Sequence, residues 1–396
     1  MDAGKTVLVY GPASISLVEG EAEILGYPMR VKRPVVVKSW RSRPVHVLRS
    51  SVFEFTSGEG GGMEVVEGDT VPSEWRSVAE ELKDREGLVA AVYGAADSGK
   101  TSLATLLTNY IVAEGMVAFM DFDVGQSSIC PPTTIGLVSL RRPVPDVSTL
   151  RAERSEAVGY TSPSPVIPRH IEAAERLITH ARGSSEKIVA DMDGWVAGEG
   201  AARHKVLLLK ALGASVMLSI GDVLGEVRSF CDENGVELRV LPPPAKVRKR
   251  EHTARKRLRE MAYERFLRNS IVRKIQASWV RLESTWEERR PHHILASLIS
   301  MASKYLEESG KISEYNDHRV LDELGKERRG FLSYVYDMNN RFSGIGLLLS
   351  LNLQKNYLRI YTPFQGQMSR IVVGSIILSF KGEELQSIPP PQVPQP

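Results

Sequence analysis

Short apolar runs recur between residues 88 and 241, at Leu88 to Tyr93, Met116 to Phe122, Lys187 to Met192, Ser215 to Ile220 and Glu237 to Leu241, with stretches of helical periodicity between them. Strands that alternate with helices predict an α/β domain whose parallel sheet is covered by helices on both faces, with any ligand at the carboxyl ends of the strands. The run Pro242-Pro243-Pro244 stops the pattern. Before it, the first 85 residues hold short runs such as Lys5 to Tyr10 and Pro34 to Lys38, broken by Gly-Pro, Gly-Tyr-Pro and the glycines between 58 and 62. That is the pattern of short strands and tight turns, closed by a helical patch over Ser73 to Leu82. After it comes Lys246 to Lys274, dense in Arg and Lys, with Leu258, Met261, Ala262, Phe266 and Leu267 as a narrow apolar seam; it predicts a basic helix. Runs at Gly344 to Leu351, Tyr357 to Tyr361 and Ile371 to Leu378 predict further strands.

The expected organisation is therefore a β-rich domain over residues 1–86, an α/β domain over 87–275 with the basic helix at about 246–274, a β-rich domain over 276–388, and a disordered proline-rich tail at 389–396. A chain of 396 residues exceeds one core of ordinary size, and 42% apolar residues suffice for several. The two cysteines, Cys130 and Cys231, lie far apart without metal-ligand spacing, so neither a disulfide framework nor a zinc site is expected. No apolar stretch reaches the ~20 residues that a bilayer crossing needs, and the start lacks the layout of a signal peptide. A soluble intracellular protein with no membrane partner is the expectation. The net charge of +3 says less than its uneven placement.

Residues Gly94 to Thr101 read G-A-A-D-S-G-K-T between the first strand and a helix that begins near Ser102. Glycines at 94 and 99 allow the backbone of Ala95, Ala96, Asp97 and Ser98 to curl round a phosphate with its N–H groups inward, at the positive end of a helix. Lys100 is placed to reach the β and γ phosphates, and the Thr101 hydroxyl to sit on Mg²⁺, so ATP and Mg²⁺ are the expected ligands. The next strand ends in Asp121-Phe122-Asp123, and acids at alternate positions face the same side. One can orient the metal, and the other can take a proton from an attacking hydroxyl. No Asn-Lys-x-Asp guanine-reading motif occurs, which argues against a GTPase.

The ordered set G-A-A-D-S-G-K-T, D-F-D-V-G-Q-S-S-I-C-P-P-T-T-I-G, Tyr160-Thr161-Ser162-Pro163 and Asp193-Gly194-Trp195-Val196-x-Gly198 resembles the polynucleotide 5'-hydroxyl kinase family. That family holds the RNA kinase subunit of the eukaryotic pre-mRNA cleavage factor, the ribosomal-RNA-processing kinases and their archaeal homologues. The compact length looks archaeal, which implies a cytoplasmic location. The resemblance implies that Gly94 through Ser102 cradle ATP, that Thr101 and Asp121 serve Mg²⁺, and that Asp123 is the general base. It implies that Gln126 lies beside metal and phosphates, and that Thr161 and Trp195 grip the phosphate and sugar next to the accepting hydroxyl. The basic helix corresponds to the family's lid, where Arg255 and Arg259 resemble arginines that neutralise the transferring phosphoryl; Arg250 is a weaker candidate. Glu23, beside Ile24, stands where adenine contacts fall in the family.

The implied function is transfer of the ATP γ-phosphate to the 5'-hydroxyl of RNA, with DNA as a second acceptor, in RNA processing alongside protein partners. The alternative is an ATP-binding assembly subunit of an RNA-processing complex with weak or no kinase activity.

Overall fold

The computed structural model describes residues 1–246, 251–286, 289–311 and 313–388. They fall into two compact units. The first comprises residues 1–123, 136–153 and 174–250; the second comprises 124–135, 154–173 and 251 onward. Arg250, and the tail at 389–396, lie outside the described residues.

The apolar run before the phosphate loop forms the strand Val89–Gly94, near the middle of a mixed sheet. Within the first unit the sheet order is Thr134–Leu140, Val117–Asp121, Lys187–Asp191, Val89–Gly94, Val216–Ile220, Glu237–Leu241. The last five strands are mutually parallel, as the alternating pattern predicts. Thr134–Leu140 instead runs antiparallel to Val117–Asp121. The physical reason is the connection: the link over 122–133 carries no crossover helix, and a strand that returns without one lies antiparallel. Strands fully buried along their length, such as Val117–Asp121, read as continuous apolar runs.

Helix Lys100–Ile111 packs on Val89–Gly94 and Lys187–Asp191, and against helix Ser73–Leu82. The latter buries Trp75, Val78, Ala79 and Leu82, the i, i+3, i+4, i+7 stripe of an amphipathic helix. The N-terminal residues form a six-stranded antiparallel sheet in the order Tyr27–Pro28, Ala13–Ile24, Ser42–Ser57, Thr6–Tyr10, Gly62–Val66, with Val35–Val37 also paired to Ala13–Ile24. Two buried polar links join this sheet to the rest of the unit. Asn109 donates to the carbonyls of Leu25 (2.8 Å) and Val144 (2.9 Å) and accepts from the Val144 amide. Arg43 pairs with Asp146 at 2.5 Å, both side chains shielded from water. Burial alone would raise the Asp146 carboxyl, but Arg43 and Arg41 beside it hold it well below the usual carboxylate range.

In the second unit the strands run Ile271–Ile275, Tyr357–Thr362, Phe342–Asn352, Arg329–Asp337, Met368–Ser379, Arg281–Ser284, with Glu384–Ser387 also paired to Met368–Ser379. Helices Pro291–Glu308 and Arg319–Lys326 cover one core, through Ile294, Leu298, Met301 and Leu321. The basic segment is divided. Helix His252–Leu267 ends where Asn269 takes a left-handed conformation (φ 63°), and the chain then enters the strand Ile271–Ile275. A helix cannot continue through such a residue. The helix buries Tyr263 and Leu267 most completely, while Met261, expected in the seam, is exposed. Hydropathy alone undervalues a tyrosine, which packs its ring here among Tyr334, Leu347 and Ile376. Both cysteines are buried free thiols. Among the described residues no helix is long and apolar enough to cross a membrane.

Arg43→Met leaves Asp146 buried without its partner, and breaking such a pair costs about 3–5 kcal/mol. A lower denaturation midpoint near neutral pH is expected. Because the Asp146 pKa is depressed on folding, its stabilisation is present above the unfolded value of about 3.9 and fades as pH falls below it. The wild-type advantage measured by thermal melts should therefore hold from pH 7 to about 5 and shrink towards pH 2.

Candidate active site

The phosphate loop is shaped by backbone that only small residues allow. Gly94 (φ 152°) has no room for a side chain: a Cβ there would lie 2.8 Å from Ser98 Oγ and 2.9 Å from the Ile220 carbonyl. Gly99 (φ 105°) caps the following helix, so the first amides of Lys100–Ile111 have no intrahelical acceptor and point into the loop. Asp97 also lies in the left-handed region (φ 60°), which aspartate tolerates better than most residues. Lys100 is buried at the start of the helix, where its ammonium donates to the Ala95 carbonyl at 2.8 Å across the mouth of the loop. A phosphate oxygen is the natural replacement for that acceptor.

Parallel register brings the acids to one level. Asp121 is opposite Asp191, and Asp191 is in turn opposite Val92, two residues before Gly94. Asp121 is buried and accepts from the Asp123 amide at 3.0 Å, which turns the chain so that Asp123 is less buried than its neighbour. Thr101 donates its hydroxyl to Asp191 Oδ2 at 2.6 Å. The other oxygen, Oδ1, is buried and has no hydrogen-bond partner among the described residues. Burial raises the Asp191 carboxyl above its ordinary range and the charge of Asp123 adds to this, while Lys100 and the Thr101 hydroxyl act in the opposite sense.

Asp191 is the site residue that sequence reasoning did not single out. Its signal was the ending of an otherwise apolar strand, Lys-Ile-Val-Ala-Asp, on a lone acid. A buried carboxylate oxygen without a partner, next to a threonine hydroxyl, suits a hard divalent cation such as Mg²⁺, which takes one or two carboxylates and keeps several waters. Among the described residues no group of three or more His, Cys, Asp or Glu is arranged to hold a metal alone.

The turn Asp193-Gly194-Trp195 lies directly on the phosphate loop. A Cβ on Gly194 would come within 2.8 Å of the Ala96 backbone, so glycine is required for this approach. Trp195, half-buried, is the next residue of this turn, with its ring 5.5 Å from that of His204. Glu23 is engaged elsewhere, in an ion pair with Arg76, which also binds Asp69 at 2.8 Å. An open cleft of about 670 Å³ in the same unit is lined by Tyr10, Ser42, the glycines 60–62 and Lys246.

The remaining expected residues belong to the second unit. Gln126 donates to the backbone carbonyl of Arg255 at 3.0 Å, tying its loop to the start of the basic helix. Arg259, one turn on, is buried in a two-pronged ion pair with Glu384, at 2.7 and 3.0 Å. Thr161 lies in a turn anchored on the C-terminal sheet. Burial of its neighbour Tyr160 raises the Tyr160 hydroxyl above its ordinary range. Arg169 donates to the Val158 carbonyl at 3.0 Å, and Thr133 and Tyr334 share a hydroxyl hydrogen bond of 2.6 Å.

A strand, a glycine-bounded loop with lysine and threonine, and carboxylates on two neighbouring strand ends define a P-loop nucleotide-binding protein. Residues 94–269 match the family described as mRNA cleavage and polyadenylation factor CLP1 P-loop. The chain is 28% identical over 316 residues to polyribonucleotide 5'-hydroxyl-kinase TK1956 of Thermococcus kodakarensis, across 74% of this chain and 89% of that protein. It is 25% identical over 332 residues to polyribonucleotide 5'-hydroxyl-kinase MJ1315 of Methanocaldococcus jannaschii, across 77% and 91%. Its fold resembles that of Clp1p in the solved Clp1p–Pcf11p complex, with a TM-score of 0.68 over 95% of this chain and 96% of the other, at 11% identity. These matches support the polynucleotide 5'-hydroxyl kinase family, which includes the CLP1 proteins, as the family of this chain.

Asp191→Asn retains an oxygen for the Thr101 hydroxyl and removes the charge beside it. Its binding of Mg²⁺-ATP should weaken by about 10- to 100-fold, the range typical when a residue supporting a metal site is lost. Binding of ATP in excess chelator should change far less. Calorimetric titration with and without Mg²⁺ distinguishes the two.

Proposed function

We propose that this protein is an ATP-dependent polynucleotide 5'-hydroxyl kinase that acts on RNA ends, with DNA ends as a second acceptor, in RNA processing. The observation that carries the reading is the Gly194 approach, which brings the Asp193-Gly194-Trp195 turn onto the phosphate loop. A P-loop that only hydrolysed ATP would have no need of a tryptophan on the turn that meets its loop, whereas an indole offers a stacking face and an N–H to a nucleotide. The names of the archaeal relatives point the same way.

In the proposed reaction the 5'-hydroxyl oxygen attacks the γ-phosphorus in line, the bond to the β-γ bridging oxygen breaks, and ADP leaves. Asp123 accepts the hydroxyl proton. The backbone amides of Gly94 to Ser102 hold the phosphates, and Lys100 exchanges the Ala95 carbonyl for a phosphate oxygen. Mg²⁺, held through Thr101 with Asp121 and Asp191, would neutralise charge on the β and γ phosphates. Gln126 would orient the same phosphates, Arg255 and Arg259 would take up charge that develops on the phosphoryl group, and Thr161 with Trp195 would grip the acceptor. Glu23 would contribute to the adenine side; its bond to Arg76 supports a placing role more than a direct one.

The proposal includes a three-part organisation, with a central P-loop kinase domain over 87–275 between β-rich domains, and protein partners in RNA processing. An assembly subunit that merely holds ATP is the rival reading, and no residue observed here favours it over the kinase.

Incubation with γ-labelled ATP, Mg²⁺ and a 5'-hydroxyl oligoribonucleotide should label the 5' end. Lys100→Ala and Asp123→Asn should each lower kcat by at least about 100-fold, given what transition-state charge stabilisation and proton transfer contribute. Folded wild-type protein that binds ATP but labels neither RNA nor DNA would favour the assembly role.

A further inference from the structure

Lys205 is a lysine with no access to solvent, one turn into helix Ala201–Leu212, and the proposed chemistry makes no use of it. Its ammonium donates twice to one residue: to the Asp193 carboxylate Oδ2 at 2.6 Å and to the Asp193 backbone carbonyl at 2.8 Å. The second carboxylate oxygen, Oδ1, accepts the Trp195 amide at 3.0 Å. Three hydrogen bonds thus fix both the side chain and the backbone of Asp193 and close the turn around Gly194, the residue that touches Ala96 of the phosphate loop. His204, the adjacent helix residue, completes the cluster. Its Nδ1 is 3.7 Å from Asp193 Oδ2, and its ring is 5.5 Å from the Trp195 ring with a tilt of 34°.

Fold stability gives such a cluster little reason to persist, since a buried ion pair is commonly matched or bettered by apolar residues of the same volume. Burial draws the Lys205 ammonium below its ordinary range against the pull of Asp193, and the charges of Lys100 and Asp123 also act on it. What the pair supplies that apolar packing cannot is directional restraint on a short turn.

We propose that Lys205 is a positioning residue for the acceptor. Through Asp193 it locks the Asp193-Gly194-Trp195 turn onto the phosphate loop, and with His204 as a side wall it holds the Trp195 indole at the angle that receives the terminal nucleotide. The proposal rests on the kinase reading for the role of the indole, but the restraint itself is measurable without any reaction.

Two variants test it: Lys205→Met, and Asp193→Asn/Lys205→Met, which contains no unpaired buried charge and serves if the single variant fails to fold. The first readout is acrylamide quenching of Trp195, taken as the difference between each protein and the same protein carrying Trp195→Phe. Quenching should rise in both variants while the far-ultraviolet circular dichroism stays the same. The second readout is steady-state transfer from ATP to a 5'-hydroxyl oligoribonucleotide. Its KM for the oligonucleotide should rise by about tenfold, a fraction of what a 1 Å misplacement can cost, with KM for ATP within about twofold of wild type. Unchanged quenching in a folded variant would overturn the proposal, and so would equal rises in both KM values, which mark a merely structural role. Increased quenching in the variants, with a wild type that labels no acceptor, would support the restraint and overturn the kinase reading instead.

Discussion

The chemistry of this protein depends on parallel strands that end at a common level beneath a glycine-bounded phosphate loop. The register that sets Asp121 beside Asp191, and Asp191 beside Val92, delivers two carboxylates to the base of the phosphate loop. The hydrogen bond from Thr101 to Asp191 then ties the first turn of the phosphate-binding helix to that edge. Shifting either strand by one residue would turn these acids to the opposite face of the sheet, because successive side chains alternate. Gly94 and Gly194 permit close approaches where a Cβ would collide with a neighbour, and Gly99 permits the left-handed turn (φ 105°) that starts the helix.

The two units hold their candidate site residues in different ways. The first unit carries the phosphate loop, the three acids and Trp195, all anchored to strand ends or to the helix that follows them. In the second unit the loop that bears Gln126 is tied to the basic helix by the Gln126 carboxamide, while Thr133 and Arg169 bond to Tyr334 and to the Ser284 carbonyl of the C-terminal sheet. Loops that must hold a substrate within tenths of an ångström are better fixed by rigid elements than by their own sequence. The C-terminal β-rich segment thus acts as more than a passive appendage. It is the surface on which those loops are built, and Glu384 holds Arg259 in the same manner.

Much of the fold was legible in advance. Five strands of the parallel set, the helix over Ser73 to Leu82 and the phosphate loop all stand close to where periodicity put them, because each has a pattern that local physics enforces. The elements that escaped have common features. Thr134–Leu140 has no flanking helix to mark it, and its direction depends on the length of a connection. Helices Pro291–Glu308 and Arg319–Lys326 do carry apolar stripes, but they lie in a segment whose later apolar runs all read as strands. Within the basic segment a single left-handed Asn269 decides where helix gives way to strand, and composition is blind to that.

The sequence alone determined what depends on neighbours in the chain: the cradle from Gly94 to Thr101, the paired acids Asp121 and Asp123, and the order of motifs that marks the family. Backbone conformation at glycine and the alternation of side chains along a strand are local, so they survive without knowledge of the fold. Tertiary structure decided which distant groups meet. It placed Asp191 under Thr101, engaged Glu23 with Arg76 and Arg259 with Glu384, and enclosed Lys205 with Asp193 behind Trp195. Hydrogen bonds and ion pairs of this kind join residues from 12 to 125 positions apart, and their strength depends on exclusion of water, which only packing of the whole chain provides.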